Sequence, residues 1–368
     1  MSANSDRIAW VDVFKFFGIW AIYIGHFGGN GGKVYPFVFT YHVPMFFFAA
    51  GFFAPRYLKD TPLAFIKKKT LQLMIPYVFF SLLALIVFTL QSNWEFGEIV
   101  NALKGALLGI RDQIFAGSLW FIPCLYIMLI GDYFIRKLVN HPLWVLAVAF
   151  GLFIVTQTLL PNNPAHNPSW FMNLDSAMFY YVYYALGAVL FPLLTMDLTK
   201  SIHKIMAGLL ALASAGVTVI TFIIGPYWFL GKISTVLPVI STFKLTTPVF
   251  DVVIALIIIY FNIWIAKLCA HIPVLGELGR ETLAFCGTED VIKILLTQTL
   301  AMVNLKARLV TPLITVIFSL VCLLVSKYTL VNFLNAYFPW AVGKYNLTPI
   351  AEIDAGTNKN TFMQSGNG

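Results

Sequence analysis

The sequence predicts an all-α polytopic membrane protein with about ten transmembrane helices and both termini in the cytoplasm. Three observations carry this. Of 368 residues, 59% are hydrophobic, 11% are charged and 34 are Phe, where a soluble domain runs near about 45–50% apolar and about 25% charged. Mean hydropathy is +0.82. Apolar runs recur at the length of roughly 20 residues that a helix needs to cross a bilayer, and the basic residues favour alternate links between them. This excludes a soluble enzyme, a nucleic-acid binder and a disulfide-knit secreted domain. The net charge of +8 lies mostly in short loops, where it sets orientation rather than marking a nucleic-acid footprint.

The predicted spans are 9–28, 36–54, 71–90, 118–135, 142–160, 177–195, 205–225, 248–268, 282–303 and 309–330. The first carries Asp12 and Lys15 and has no small-residue exit, so it reads as a span and not as a cleavable leader. The longest link precedes Gly117, and its 96–110 portion is amphipathic, as a helix lying on the membrane surface would be. On the N-terminal side fall Arg7, Arg56, Lys59, Lys67, Lys68, Lys69, Arg136, Lys137, Lys200, Lys204, Lys267, Arg280, Lys327, Lys344 and Lys359. The opposite side holds Lys33, Lys104, Arg111, Lys232, Lys244, Lys306 and Arg308. That bias of roughly two to one places both termini inside the cell. Residues 1–335 read as one transmembrane domain and 336–368 as a polar, flexible tail. Cys124, Cys269, Cys286 and Cys322 lie in or beside apolar runs without C-x-x-C spacing, and read as free thiols.

Ionisable residues inside spans are costly, and so mark function. The first span carries Asp12, Lys15 and His26. At about 100° per residue they share one face, with Lys15 and His26 about 16 Å apart along the axis. Tyr23 lies between them. The second span opens Tyr41-His42-Val43-Pro44-Met45-Phe46-Phe47-Phe48, with Pro44 in the tolerant first turn. Antiparallel neighbours would bring His26 and His42 to one depth, where imidazole suits general-base work on a substrate hydroxyl. A metal pair fits less well, since no third ligand at matching depth is evident. The ninth span carries Glu289, Asp290 and Lys293. The i,i+4 and i,i+3 spacings allow internal ion pairing, or one carboxylate is left to orient a histidine or a substrate. Lys67-Lys68-Lys69 would meet anionic lipid or a phosphate-bearing substrate. Trp120 is either an interfacial aromatic or a platform for a sugar ring. Trp170, in the loop 161–176 that lacks Lys and Arg, belongs to the same open question. The run Gly28-Gly29-Asn30-Gly31-Gly32-Lys33 follows a helix and lacks Ser/Thr after the Lys, so it is not a phosphate loop.

Arg7-Ile-Ala-Trp-Val-Asp12-Val-Phe-Lys15, then His26, then Tyr41-His42-Val-Pro44-Met-Phe-Phe-Phe-Ala-Ala-Gly51 resembles the integral membrane acyltransferase 3 family. The likeness is nearest to its fucose O-acetylase-like branch of sugar acetyltransferases. It extends to Met74-Ile75-Pro76-Tyr77, Leu119-Trp120-Phe121-Ile122-Pro123-Cys124-Leu125, Tyr183-Tyr184-Ala185-Leu186-Gly187 and Leu278-Gly279-Arg280-Glu281-Thr282-Leu283. Two positions depart from the family pattern. Lys15 replaces a common Arg, which loses bidentate phosphate geometry, and Glu289 stands where many members have His.

The resemblance implies an enzyme of the cell (plasma or inner) membrane with no tightly bound cofactor. It implies transfer of an acetyl or other short acyl group from cytoplasmic acyl-CoA, as co-substrate, to a hydroxyl of an extracytoplasmic or lipid-linked glycan or exopolysaccharide. On this reading Arg7, Asp12, Lys15, Lys67, Lys68 and Lys69 hold the donor, and His26, His42 and Glu289 form the catalytic group. Tyr23, Trp120 and Trp170 meet the acceptor. Partners would be the bilayer and either the polysaccharide synthesis and export machinery or a second copy of the chain. The competing expectation is a polysaccharide or lipid-linked sugar transporter or flippase. Broken helices and in-span charges permit that, but the two halves of the chain show no inverted repeat.

Overall fold

The computed structural model describes residues 7–196, 199–236, 244–302 and 311–345, apart from the side chains of 55–57 and 236. The predicted tail from 346 onward, with Lys359, and the loop residues Lys306 and Arg308 lie outside the described residues. Among these, every regular element is helical. The α-helices are α1 Ala9–Gly25, α2 Val34–Phe39, α3 His42–Gly51, α4 Pro62–Lys69, α5 Ile75–Ser92, α6 Phe96–Leu108, α7 Phe121–Leu138 and α8 Pro142–Thr158. They continue with α9 Leu174–Thr195, α10 Ser201–Ile224, α11 Trp228–Val236, α12 Thr246–Leu268, α13 Pro273–Arg280, α14 Thr282–Met302, α15 Pro312–Ser326 and α16 Asn332–Tyr337.

Six stretches are long and apolar enough to cross a membrane: Val34–Gly51, Pro62–Ser92, Phe171–Thr195, Ser201–Ile224, Thr246–Leu268 and Pro312–Tyr337. Pro142–Thr158 is a shorter apolar helix. The remaining predicted segments are helical too, as α1, α7 and α14. The surface segment predicted over 96–110 is α6, opened by a capping box between Glu95 and Glu98 that satisfies otherwise orphaned amides.

Several boundaries differ from those read off the sequence, each for a local reason. The first helix stops at Gly25 because Gly28 and Gly32 both adopt positive φ, where glycine turns the chain at no steric cost. The second predicted span breaks at Thr40–Tyr41 into α2 and α3. The third begins earlier: Thr61 caps α4 with Pro62 in the first turn, and a π turn over Thr70–Met74 carries α4 into α5. Lys67, Lys68 and Lys69 therefore sit in a helical turn and not in a loop. Past 335 the chain stays packed as far as Tyr345. Trp340 meets Phe79 edge-on and Lys344 bonds Glu281 and Asn335.

Helix α1 is the centre of the assembly. It packs against α3, α12, α13, α14 and α15, and thirteen of its residues are buried. Two close approaches fix its surroundings. A side chain on Gly279 of α13 would overlap the backbone carbonyl of Asp12, so only glycine lets α13 seat against α1. Gly51 of α3 and Gly187 of α9 are reciprocal: a side chain on the first would strike Tyr184 O, and on the second Phe48 O. Small residues bring helices to backbone contact, which is how packing is gained where lipid already solvates the apolar faces.

Candidate functional site

Helix α1 carries a charged group at each end. At its start, Asp12 accepts from Arg7 Nε at 2.7 Å and pairs with Lys15 Nζ at 3.0 Å. Past its end stands His26, which caps the helix. Helix α14 runs alongside and brings Glu289 to His26: Nδ1 lies 2.6 Å from Oε1 and 2.7 Å from Oε2. A carboxylate only accepts, so Nδ1 is the donor and, in the neutral ring, Nε2 carries the lone pair. The next residue is committed elsewhere. Asp290 accepts from Lys293 Nζ at 2.8 Å and from the backbone N–H of Gly117 at 2.8 Å, while Lys293 stands 4.0 Å from Glu289. Of the two adjacent carboxylates, one anchors Lys293 and the α6–α7 link, and the other is left for the histidine.

Two cavities lie along α1 and α14, and His26 lines the second of them. The first, of about 250 Å³, is lined by Lys15, Ile19 and Ile22 of α1, by Phe46, Ala49, Ala50 and Phe53 of α3, by Leu73, by Phe121, Ile122 and Leu125 of α7, and by Thr282, Leu283 and Cys286 of α14. The running directions of the helices order it. Lys15, Phe53, Leu73, Leu125 and Thr282 are at one end, and Ile22, Phe46, Phe121, Ile122 and Cys286 at the other. Its only charged lining residue, Lys15, is at its mouth. The second cavity, of about 430 Å³, is lined by His26, Phe88, Gln91, Ser92, Phe115, Gly117, Asp290, Lys293 and Ile294. Ile22 precedes His26, and Cys286 precedes Asp290, by one helical turn, about 6 Å, so the first space ends about one turn short of the imidazole that lines the second. Ser118 fastens the start of α7 to α14 beside this boundary: its hydroxyl donates to Cys286 O at 2.7 Å, and Cys286 Sγ donates to Ser118 O at 3.2 Å.

Gly117 keeps Nε2 accessible. A Cβ there would sit 3.9 Å from Nε2 and 3.8 Å from Cε1 of His26, so any branched side chain would fill the space in front of the lone pair. Sequence reasoning missed this residue. A glycine preceding a helix carries no signal until the register of α14 is known.

The other predicted site residues are placed as follows. Lys69 Nζ bonds Gln72 at 3.3 Å and lies one helical turn before Leu73 at the cavity mouth. Lys68 pairs with Asp60 at 3.5 Å, and Lys67 is exposed. His42 is buried, with Nδ1 donating to Val38 O at 2.7 Å and its ring edge-on to Phe39. It lines neither cavity. Val38 and Phe39 are also what a side chain on Gly25 would meet, so His42 braces α2 against the end of α1. Tyr23 is turned away from both cavities, its hydroxyl donating to Phe285 O at 3.1 Å, because a buried phenol must find an acceptor. Trp120 is buried under Arg111, whose guanidinium lies 5.1 Å from its ring centroid, and also lines neither cavity. Arg111 in turn holds Ala165 O and His166 O. Trp170 is half-exposed on the 161–176 loop, which Asp175 fastens by accepting from Ser169 N and Trp170 N.

One cluster was misread. Arg136, assigned to a loop, is buried within α7, its Nε 2.8 Å from both oxygens of Asp132. Tyr181 and Tyr184 of α9 donate to the same carboxylate at 2.8 and 3.2 Å. The i,i+4 spacing at the end of an apolar run was the available signal.

The acyltransferase 3 family model, described as an acyltransferase domain, matches residues 8–331. The chain belongs to the acyltransferase 3 family. With its long apolar helices it is a multi-pass membrane acyltransferase. No curated protein and no solved structure matches it. The matched span contains both cavities and the His26–Glu289 pair.

Proposed function

We propose that this acyltransferase moves an acetyl or other short acyl group from acyl-CoA to a hydroxyl of a glycan or lipid-linked sugar, with His26 as general base. The observation that carries the reading is that two unlike cavities end within about one helical turn of each other: an apolar one with Lys15 at its far end, and one lined by His26, Gln91, Ser92, Asp290 and Lys293 that bears the open face of Nε2. In this reading the approximately ten apolar runs of the chain cross the cell membrane with both termini in the cytoplasm, as the loop charges favour. The Arg7–Asp12–Lys15 group and Lys67–Lys69 then face the cytosol and meet the CoA phosphates. The pantetheine arm occupies the apolar cavity and brings the thioester to its closed end. The acceptor enters the second cavity from the far side.

The chemistry balances as follows. Nε2 takes the hydroxyl proton as the oxygen attacks the thioester carbonyl carbon. The carbon–sulfur bond breaks, the ester forms, and the departing CoA thiolate takes the proton back from the imidazolium. Glu289 fixes the tautomer and stabilises the imidazolium, the role a buried carboxylate plays beside a catalytic histidine. His42 acts at one remove, by holding the turn behind His26.

The test is the surface polysaccharide of cells that carry the intact chain, the His26→Ala variant or a deletion. The expected result is an acyl mass increment only with the intact chain, while purified His26→Ala is still stabilised against heat by acyl-CoA. An increment that survives in His26→Ala removes that residue from the mechanism.

A further inference from the structure

We infer that the donor's acyl group is short and uncharged, and that Phe46 sets its length. The inference rests on the proposed donor reading and deepens it. At about 250 Å³ the cavity lies just below the range of roughly 300–1,000 Å³ usual for small-molecule sites. A thioester arm leaves room there for a few carbons only. The closed end is made by Ile22, Phe46, Phe121, Ile122 and Cys286, none of them a cation.

The nearest positive charges are committed. Lys15 is bound to Asp12 at the mouth, seven residues and about 10 Å down α1 from Ile22. Lys293 lines the other cavity, held by Asp290 at 2.8 Å and facing Glu289. Glu289, three residues beyond Cys286 on α14 and paired with His26, puts a carboxylate about one turn from the closed end. An acyl group ending in a carboxylate, as succinyl does, would bring an unpaired charge into an apolar pocket beside another carboxylate, the costliest kind of burial.

Length is set by a ring that has little room to move. A Cβ on Gly18 would fall 2.8 Å from Phe46 Cε2, so the ring is pressed against bare α1 backbone. On its other side it meets Phe121 edge-on, with centroids 5.7 Å apart.

The experiment is a set of thermal-unfolding titrations of the purified full chain with acetyl-, propionyl-, hexanoyl- and succinyl-CoA, repeated on Phe46→Ala and on the milder Phe46→Leu. The expected result is comparable apparent affinity for acetyl- and propionyl-CoA, and affinity for succinyl- and hexanoyl-CoA lower by roughly tenfold or more. Phe46→Ala or Phe46→Leu restores hexanoyl-CoA relative to acetyl-CoA and leaves succinyl-CoA weak. Succinyl- or hexanoyl-CoA binding the wild-type chain as tightly as acetyl-CoA overturns the inference and leaves the donor reading standing. Stabilisation by none of the four overturns the donor reading and the inference with it.

Discussion

His26 and Glu289, 263 positions apart in the chain, are joined through one imidazole nitrogen that touches both carboxylate oxygens at 2.6 and 2.7 Å. Only one of those oxygens is near another charge, Lys293 at 4.0 Å, so the carboxylate belongs chiefly to the histidine. In the proposed reaction Glu289 is therefore a positioning residue that works through His26. Replacing it by Gln preserves shape but removes the charge that favours Nδ1–H and the imidazolium. Transfer should fall by roughly 10²–10⁴-fold, while stabilisation by acyl-CoA is retained. An unchanged transfer rate in Glu289→Gln, measured per folded molecule, would show that the pair is only structural.

Gly117 offers a test that leaves every ionisable group in place. Gly117→Val puts two methyl groups in front of Nε2, and the apolar cavity, which Gly117 does not line, keeps its shape. Transfer to the acceptor should drop at least roughly tenfold, as a misplaced reacting geometry does, with acyl-CoA affinity unchanged. Loss of acyl-CoA affinity in step with transfer would contradict the assignment of two separate cavities.

How far the sequence was legible follows from the range of the interactions. Apolar run length identified the helices, since burial in lipid is a property of each segment alone. The wheel of α1 put Asp12, Lys15 and His26 on one face, and in the structure Lys15 and His26 each line a cavity, at opposite ends. Tyr23, which the same reading placed between them, points to Phe285 O. Its direction depends on which carbonyl of α14 lies across from it, and a single helix cannot supply that. The same limit applies to Glu289 and Asp290. Their spacing to Lys293 permits either pairing, and the choice is made by Gly117 N–H and by His26, both on other elements. The break between α2 and α3 falls at the polar Thr40-Tyr41-His42, and the π turn before α5 follows Lys67-Lys68-Lys69; both were hidden because a short polar run does not say whether a helix breaks there or only turns its polar side to a neighbour.

The proposed donor site makes a kinetic prediction. Lys15 is tied to Asp12 and lines the apolar cavity where the CoA phosphates would arrive, so its charge acts on binding more than on the chemical step. Lys15→Gln should raise KM for acyl-CoA by roughly tenfold or more, the scale of one charge-assisted contact, and leave kcat within a few-fold. A fall in kcat with KM unchanged would move Lys15 out of the donor mouth and toward the reacting atoms.

Cys286 reports on occupancy of the same cavity. Its thiol is at the closed end, whereas Cys124 and Cys322 are buried elsewhere and Cys269 follows the end of α12. A small apolar thiol reagent able to enter the cavity should label Cys286, and saturating acyl-CoA should slow that labelling, with Cys269 as the internal control. Protection of both cysteines alike, or of neither, would mean that acyl-CoA does not fill this space.

The Asp132–Arg136 pair makes a prediction about stability. Asp132 is fully buried and receives Arg136, Tyr181 and Tyr184, so one carboxylate fastens α7 to α9. That link matters to the site because Phe121, Ile122 and Leu125 of α7 form one wall of the apolar cavity. Removing either partner strands the other's charge, which typically costs about 3–5 kcal/mol. Asp132→Ala should therefore lower the thermal midpoint sharply, and Arg136→Ala likewise. Replacing both together, as Asp132→Leu with Arg136→Met, removes the desolvation cost along with the attraction and should be milder than either single change. The decisive comparison is the thermal midpoint of the double variant against the singles. If the double is the least stable of the three, the pair contributes net attraction beyond avoiding an isolated charge, and the cluster holds the cavity wall by Coulomb force more than by packing.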